Sequence, residues 1–172
     1  MGFKNYLQYD VMDCGPTCLK MVAKHYGKTL ALDRLRDMTK ISRNGVSLFA
    51  ISEAAEKIGF KTAGAIVTYE QLINEVTVPA IIHWSQNHFM VVYKITKNKV
   101  YVSDPAQGNK TYTKEEFLKK WASVEEDGLR AGVILVLEPT PHFYTIDEDK
   151  DESSLEGLKF LSKYFIKYIL KQ

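Results

Sequence analysis

The spacing of apolar residues changes once along this chain, near Gly59, and that change fixes the order of its elements. Before it the spacing is helical. Cys18, Leu19, Val22, Ala23 and Tyr26 predict a helix over 15–26, with Pro16 suited to the first turn and Gly27 to a left-handed stop. Cys14 then stands at the N-terminal end of that helix. A short helix is expected over 32–38 and another over 46–58, with Phe49, Ala50, Ala54 and Ile58 facing inward. After Gly59 the spacing is that of strands, over 60–67, 80–84, 88–95, 100–104 and 131–137. The polar Thr96-Lys97-Asn98-Lys99 suits a hairpin between two of them. Thr68 caps a brief helix through Glu75, and Thr113 with Glu116 makes a capping box for a helix ending near Trp121. Helices first and mostly antiparallel strands afterwards give an α+β architecture, an N-terminal helical part packed on a mostly antiparallel β-sheet.

The 172 residues, 45% of them apolar, suffice for one substantial core, so one domain with a tail is expected. Lys and Arg total 23 against 21 for Asp and Glu, interspersed, which leaves no dense basic stripe and argues against nucleic acid as a partner. No apolar run approaches the roughly 20 residues that cross a bilayer, and the first six residues lack the apolar core of a secretory signal, so a cytoplasmic location is expected. Two cysteines four apart make no disulfide framework and are expected as thiols. Beyond Pro139 and Pro141 the chain turns acidic. The domain is therefore expected over 1–141, a flexible acidic linker over 142–153, and an amphipathic helix over 154–172 whose regularly spaced lysines suggest a membrane surface.

A thiol attacks a peptide carbonyl well only as the thiolate, and the ordinary value of about 8.5 leaves little of it at neutral pH. Cys14 has two sources of help, the positive end of the helix it begins and an imidazolium from elsewhere. His88 opens a strand just after the polar Ser85-Gln86-Asn87, and Asp104 ends the next strand, so antiparallel pairing brings the two together and lets the carboxylate orient the ring. An oxyanion needs donors: the backbone N–H of Cys14 is one, and Gln8 offers an uncharged side-chain N–H. Cys18 is expected in the core, and a zinc site from Cys14, Cys18 and a histidine lacks the further ligands, so no metal is expected. Asp10 and Asp13 suit local caps. His83 suits the core or a cleft wall, and His25 and His142 the surface.

The run from Gln8 through Asp10, Asp13, Cys14, Gly15 and Pro16 to Leu19 closely resembles the active-site segment of the bacteriocin-processing cysteine peptidases, the N-terminal domains of peptidase-containing ABC transporters. The stretch Val78 to Trp84 followed by His88-Phe89-Met90-Val91-Val92 resembles that family's histidine segment, and Val102-Ser103-Asp104-Pro105-Ala106 its aspartate segment. The resemblance implies a papain-like fold and an endopeptidase that cuts a leader after a double-glycine motif, Gly-Gly or Gly-Ala. It makes Cys14 the nucleophile, His88 the base, Asp104 its orienter and Gln8 the oxyanion donor. The implied partners are a leader-bearing precursor peptide and fused transmembrane and nucleotide-binding domains, working as a homodimer at the cytoplasmic face of the bacterial membrane. ATP and Mg belong to that nucleotide-binding domain, and the peptidase domain needs no cofactor. An amphipathic leader helix would dock in an apolar groove, with Leu48, Phe49 and Ile51 expected at its edge. The alternative reading is a docking module that binds leaders without cutting them.

Overall fold

The computed structural model describes residues 2–42 and 45–149. The first helix, α1 (Cys14–His25), begins on Cys14 itself, because a 3-10 turn at Val11–Asp13 leads straight into it. Asp10 caps that turn: its carboxylate accepts from Met12 N at 2.9 Å, while Asp13 accepts from Asp10 N at 3.0 Å. The helices α2 (Leu32–Thr39) and α3 (Leu48–Lys57) pack beside α1. Ser47 caps α3, its hydroxyl accepting from Ala50 N at 3.1 Å. The buried row of α3 differs from expectation. Ile51, Ala54, Ala55 and Ile58 follow the i, i+3, i+4, i+7 pattern and are buried. Phe49, two residues before Ile51, falls on the opposite side and is 72% exposed. Gly59 then turns the chain with a φ of 92°, where a Cβ would lie 2.3 Å from the Phe143 nitrogen, so conformation and room both demand glycine.

Among the described residues seven strands follow: β1 (Phe60–Thr68), β2 (Ala80–Trp84), β3 (His88–Ile95), β4 (Lys99–Asp104), β5 (Gly108–Thr113), β6 (Val124–Glu126) and β7 (Leu129–Pro139). They form one antiparallel sheet in the order β1-β7-β2-β3-β4-β5, with β6 paired to β7. Two of these strands, β5 and β6, are additional to the five expected. The helices α4 (Tyr69–Asn74) and α5 (Lys114–Trp121) start at the predicted caps Thr68 and Thr113, each a capping box. Both sheet faces are covered, and the period of two sorts the side chains between them. Ile81, Phe89 and Val91 join the core under α1 and α3, while Ile82, Met90 and Val92 join Trp84, Phe117 and Trp121 on the other face.

The expected domain end at Pro141 is corrected. Pro141–Thr145 forms a 3-10 turn that drives Phe143 fully into the core, its ring 4.5 Å from that of Phe60. The first acidic residues of the supposed linker also pack. Ala31, the residue before α2, has no side chain to cap the helix, and Asp149 takes that role, accepting from Ala31 N at 2.9 Å and from Arg34 at 3.2 Å. Glu148 accepts from Thr29 N at 3.3 Å. The rest of the linker and the helix expected over 154–172 lie outside the described residues. Among the described residues no helix is long and apolar enough to cross a membrane.

Candidate active site

Cys14 is buried to 7% exposure at the start of α1. Asp13, the cap position, makes no side-chain bond to the helix, because its carboxylate is already taken. Arg36 from α2 grips it with two nitrogens, Nε to Oδ1 at 2.8 Å and Nη2 to Oδ2, and Arg36 Nη1 also reaches Asp33 at 2.6 Å. The pairing with Asp13 pushes the guanidinium pKa up. A buried carboxylate next to the thiol is thereby neutralised, and the first amides of α1 are left uncapped by it. Gly15 is glycine for want of room: a Cβ would lie 2.8 Å from both Ile51 and Val46, which bring α3 down onto the helix start.

The sheet brings the other two residues. Ser85 and Gln86 take left-handed backbone angles, φ 47° and 61°, in the tight turn between β2 and β3, and Ser85 N is tied to Lys120 O at 3.1 Å. Such angles cost about 1 kcal/mol or more each for non-glycine residues and collect beside functional groups. The turn delivers His88 as the first residue of β3, paired with Trp84. Its Nε2 meets Asp104 Oδ1 at 2.8 Å, and the same oxygen accepts from Ala106 N at 2.8 Å. The other ring nitrogen makes no bond to Asp104, and Cys14 lies near enough for its side chain to help raise the His88 pKa.

Burial pulls His88 toward the neutral ring, but hydrogen bonds and charge from Asp104 and Cys14 outweigh it and keep the imidazole protonated up to about 9. Burial pushes the Asp104 carboxyl up, and the His88 bond, the Ala106 N–H and the nearby positive charges overcome it and hold it below its ordinary value. The site is thus built to keep a carboxylate and an imidazolium beside a sulfur.

The structure brings Cys14, His88 and Asp104 together, with Gln8 on the segment that lies against Pro105, its N–H donating to Pro105 O at 2.7 Å. Gln8 Oε1 is buried without a hydrogen-bond partner. Cys18 is fully buried, and burial, then the Cys14 and Asp104 charges, push its thiol pKa well up, as suits a packing residue. His83 is half-buried and stacked on Phe89 at 5.0 Å, while His25 and His142 are exposed. Of the expected groove residues, Phe49 is exposed and Leu48 half-buried, but Ile51 is fully buried against Gly15 and reaches no surface, which corrects its assignment. Arg36 escaped the sequence reading: its spacing to Asp33 shows a helical pair, and nothing local points to Asp13.

A cysteine at a helix start, met by a histidine and an acid from an antiparallel sheet, is the arrangement of the papain-like cysteine peptidases, and this is such a domain. The chain belongs to the peptidase C39 family, whose profile matches residues 3–125. It is similar to a double glycine motif protease from an AMS/PCAT transporter solved with its leader peptide, at 31% identity and a TM-score of 0.72 over 80% of this chain and 91% of that one. It is also similar to the peptidase domain of Streptococcus ComA, a bi-functional ABC transporter involved in quorum sensing, at 31% identity and a TM-score of 0.70 over 81% of this chain and all of that one. Among curated proteins it is 31% identical to the lactococcin-G-processing and transport ATP-binding protein LagD of Lactococcus lactis subsp. lactis, over 92% of this chain and 21% of that protein. The chain spans about a fifth of the length of the curated relatives it matches.

Proposed function

We propose that this domain removes the leader of a precursor peptide by cutting after a double-glycine motif, Gly-Gly or Gly-Ala, as part of an ABC exporter. The observation that carries the reading is the alignment of Asp104, His88 and Cys14 at the start of α1. The Cys14 thiolate attacks the carbonyl carbon of the second small residue, its proton held on His88. The oxyanion takes hydrogen bonds from the α1 start and from Gln8 Nε2, the end of the amide left over when Oε1 is buried. Collapse breaks the C–N bond as His88 protonates the leaving amine. Water, losing its proton to His88, then hydrolyses the thioester, which frees the leader acid and restores the thiol. Asp104 keeps the ring oriented through both halves.

The small residues before the cut suit a cleft crowded near Cys14, where Val46 and Ile51 already press on Gly15. Phe49 and Leu48 edge the surface on which the amphipathic leader docks. In the full-length protein, fused membrane-spanning and nucleotide-binding domains use ATP and Mg and pair as a homodimer, with this domain at the cytoplasmic face. Relatives described as processing and transport ATP-binding proteins support the fused, ATP-using transport domains. The test is incubation with synthetic peptides bearing an amphipathic leader and Gly-Gly, read by mass spectrometry. A single cut after the second glycine is expected, absent in Cys14→Ala. A cut elsewhere, or cleavage kept by Cys14→Ala, overturns the reading.

A further inference from the structure

Residues 3–8 run as a strap along the β4–β5 hairpin, and its contacts are unusually regular. Asn5 Nδ2 donates to Ser103 Oγ at 2.8 Å and to Asp104 O at 3.1 Å. Ser103 Oγ donates to Asn109 Oδ1 at 2.7 Å, and Asn109 Nδ2 returns to the strap, donating to Phe3 O at 3.1 Å. Ser103 and Asn109 are cross-strand partners in β4 and β5, so the loop of bonds closes through a fixed register. Phe3 pins the far end, its ring stacked on Tyr93 at 4.7 Å and 6°. Three residues after Asn5, Gln8 N reaches Pro105 O at 2.7 Å. The strap therefore holds consecutive carbonyls, of Asp104 through Asn5 and of Pro105 through Gln8.

Ser103 is fully buried, and a buried polar chain of this kind holds its geometry only while each member is satisfied. Nothing in it touches the reacting atoms. Its members lie between the residue that orients His88 and the residue that supplies the side-chain oxyanion donor, groups that arrive from opposite ends of the fold. We propose that Asn5, Ser103 and Asn109 are positioning residues that set the placement of Gln8 relative to Asp104, so that the base and the oxyanion donor are aligned as one unit. The inference rests on the cleavage reading for its kinetic consequence and on the hydrogen bonds alone for its effect on His88. An isolated shift of Gln8 by a fraction of an ångström weakens oxyanion binding in the transition state without weakening leader binding.

The test is a double-mutant cycle with Asn5→Ala and Gln8→Ala, using the Gly-Gly peptide, with His88 followed by NMR titration in the substrate-free domain. Asn5→Ala is expected to lower kcat on the order of tenfold with KM unchanged. In the Gln8→Ala background the same substitution is expected to cost less than about threefold, since the donor it places is already gone. The His88 midpoint is expected to fall from about 9 as its carboxylate partner loosens. Full kcat in Asn5→Ala, or an equal loss in both backgrounds with the His88 midpoint unmoved, overturns the proposal. If Asn5→Ala gives no cooperative melt, Ser103→Ala, which keeps the bond from Asn5 to the Asp104 carbonyl, takes its place in the cycle. If the wild-type domain cuts no peptide, the cleavage reading fails, and the His88 titration alone decides the positioning role.

Discussion

Cys14 is held by one short stretch of chain and a single ion pair, whereas His88 and Asp104 are held by the pairing of three strands and a strap. On the helical side the placement is local: Asp10 caps the 3-10 turn, the turn runs into α1, and Arg36 neutralises Asp13. On the sheet side it is a matter of register. Val92 pairs with Val102 and Lys94 with Tyr101, so Tyr93 is an extra residue, a bulge between β3 and β4. The bulge changes which residues of the two strands meet, and its aromatic ring is the surface on which Phe3 stacks. A cysteine at a helix start needs little more than its own segment, while a histidine and an aspartate on separate strands need the register of the strands that carry them.

The comparison breaks most visibly at Asp104. Asp104→Asn keeps the shape but removes the charge that holds His88, and kcat is expected to fall on the order of a thousandfold while leader binding, read by fluorescence anisotropy, stays. Unchanged turnover would place the orienting role elsewhere. On the helical side the expected loss is one of stability. Arg36→Met leaves the Asp13 carboxylate buried and unpaired, at a cost of about 3 kcal/mol in chemical denaturation. A loss below about 0.5 kcal/mol would mean that the pair is solvated and that the helix start is held by its caps alone.

The smallest effect concerns pH and sharpens the contrast. Folding raises His88 from 6.5 to about 9, so its stabilisation is complete below 6.5 and is lost as pH rises through about 9. Asp104 runs the other way: held below its ordinary value, it stabilises above the usual carboxylate range and loses that as pH falls. The Tm is therefore expected to decline between pH 6.5 and 9.5, and to decline less in Asp104→Asn. Equal slopes by calorimetry would separate the His88 shift from its partner.

Much of this was legible because the relevant signals are local. The caps at Thr68 and Thr113, the strands β2 and β3 and the start of α1 all carry their information within a few residues. The pairing of His88 with Asp104 spans 16 residues but needs only that consecutive strands be antiparallel. What stayed hidden depends on contacts distant in sequence. β5 carries no apolar run, since Gly108, Asn109 and Lys110 are tolerated on a strand whose alternate residues face solvent. Phe143 looked like part of a tail because its partner, Phe60, is far upstream. The inward face of α3 was misphased at Phe49 because the cap at Ser47, rather than the density of apolar residues, decides where its first turn points. Arg36 and Asn5 are ordinary polar residues until folding sets them beside Asp13 and Asp104.

The helix α2 is eight residues long and carries an acidic clasp at either end, Asp149 at its first amide and Asp13 on Arg36 in its last turn. An α-helix of that length is about 12 Å of stiff rod. The last described residue and the footing of Cys14 are therefore joined by one rigid spar, and neither is displaced without loading the other.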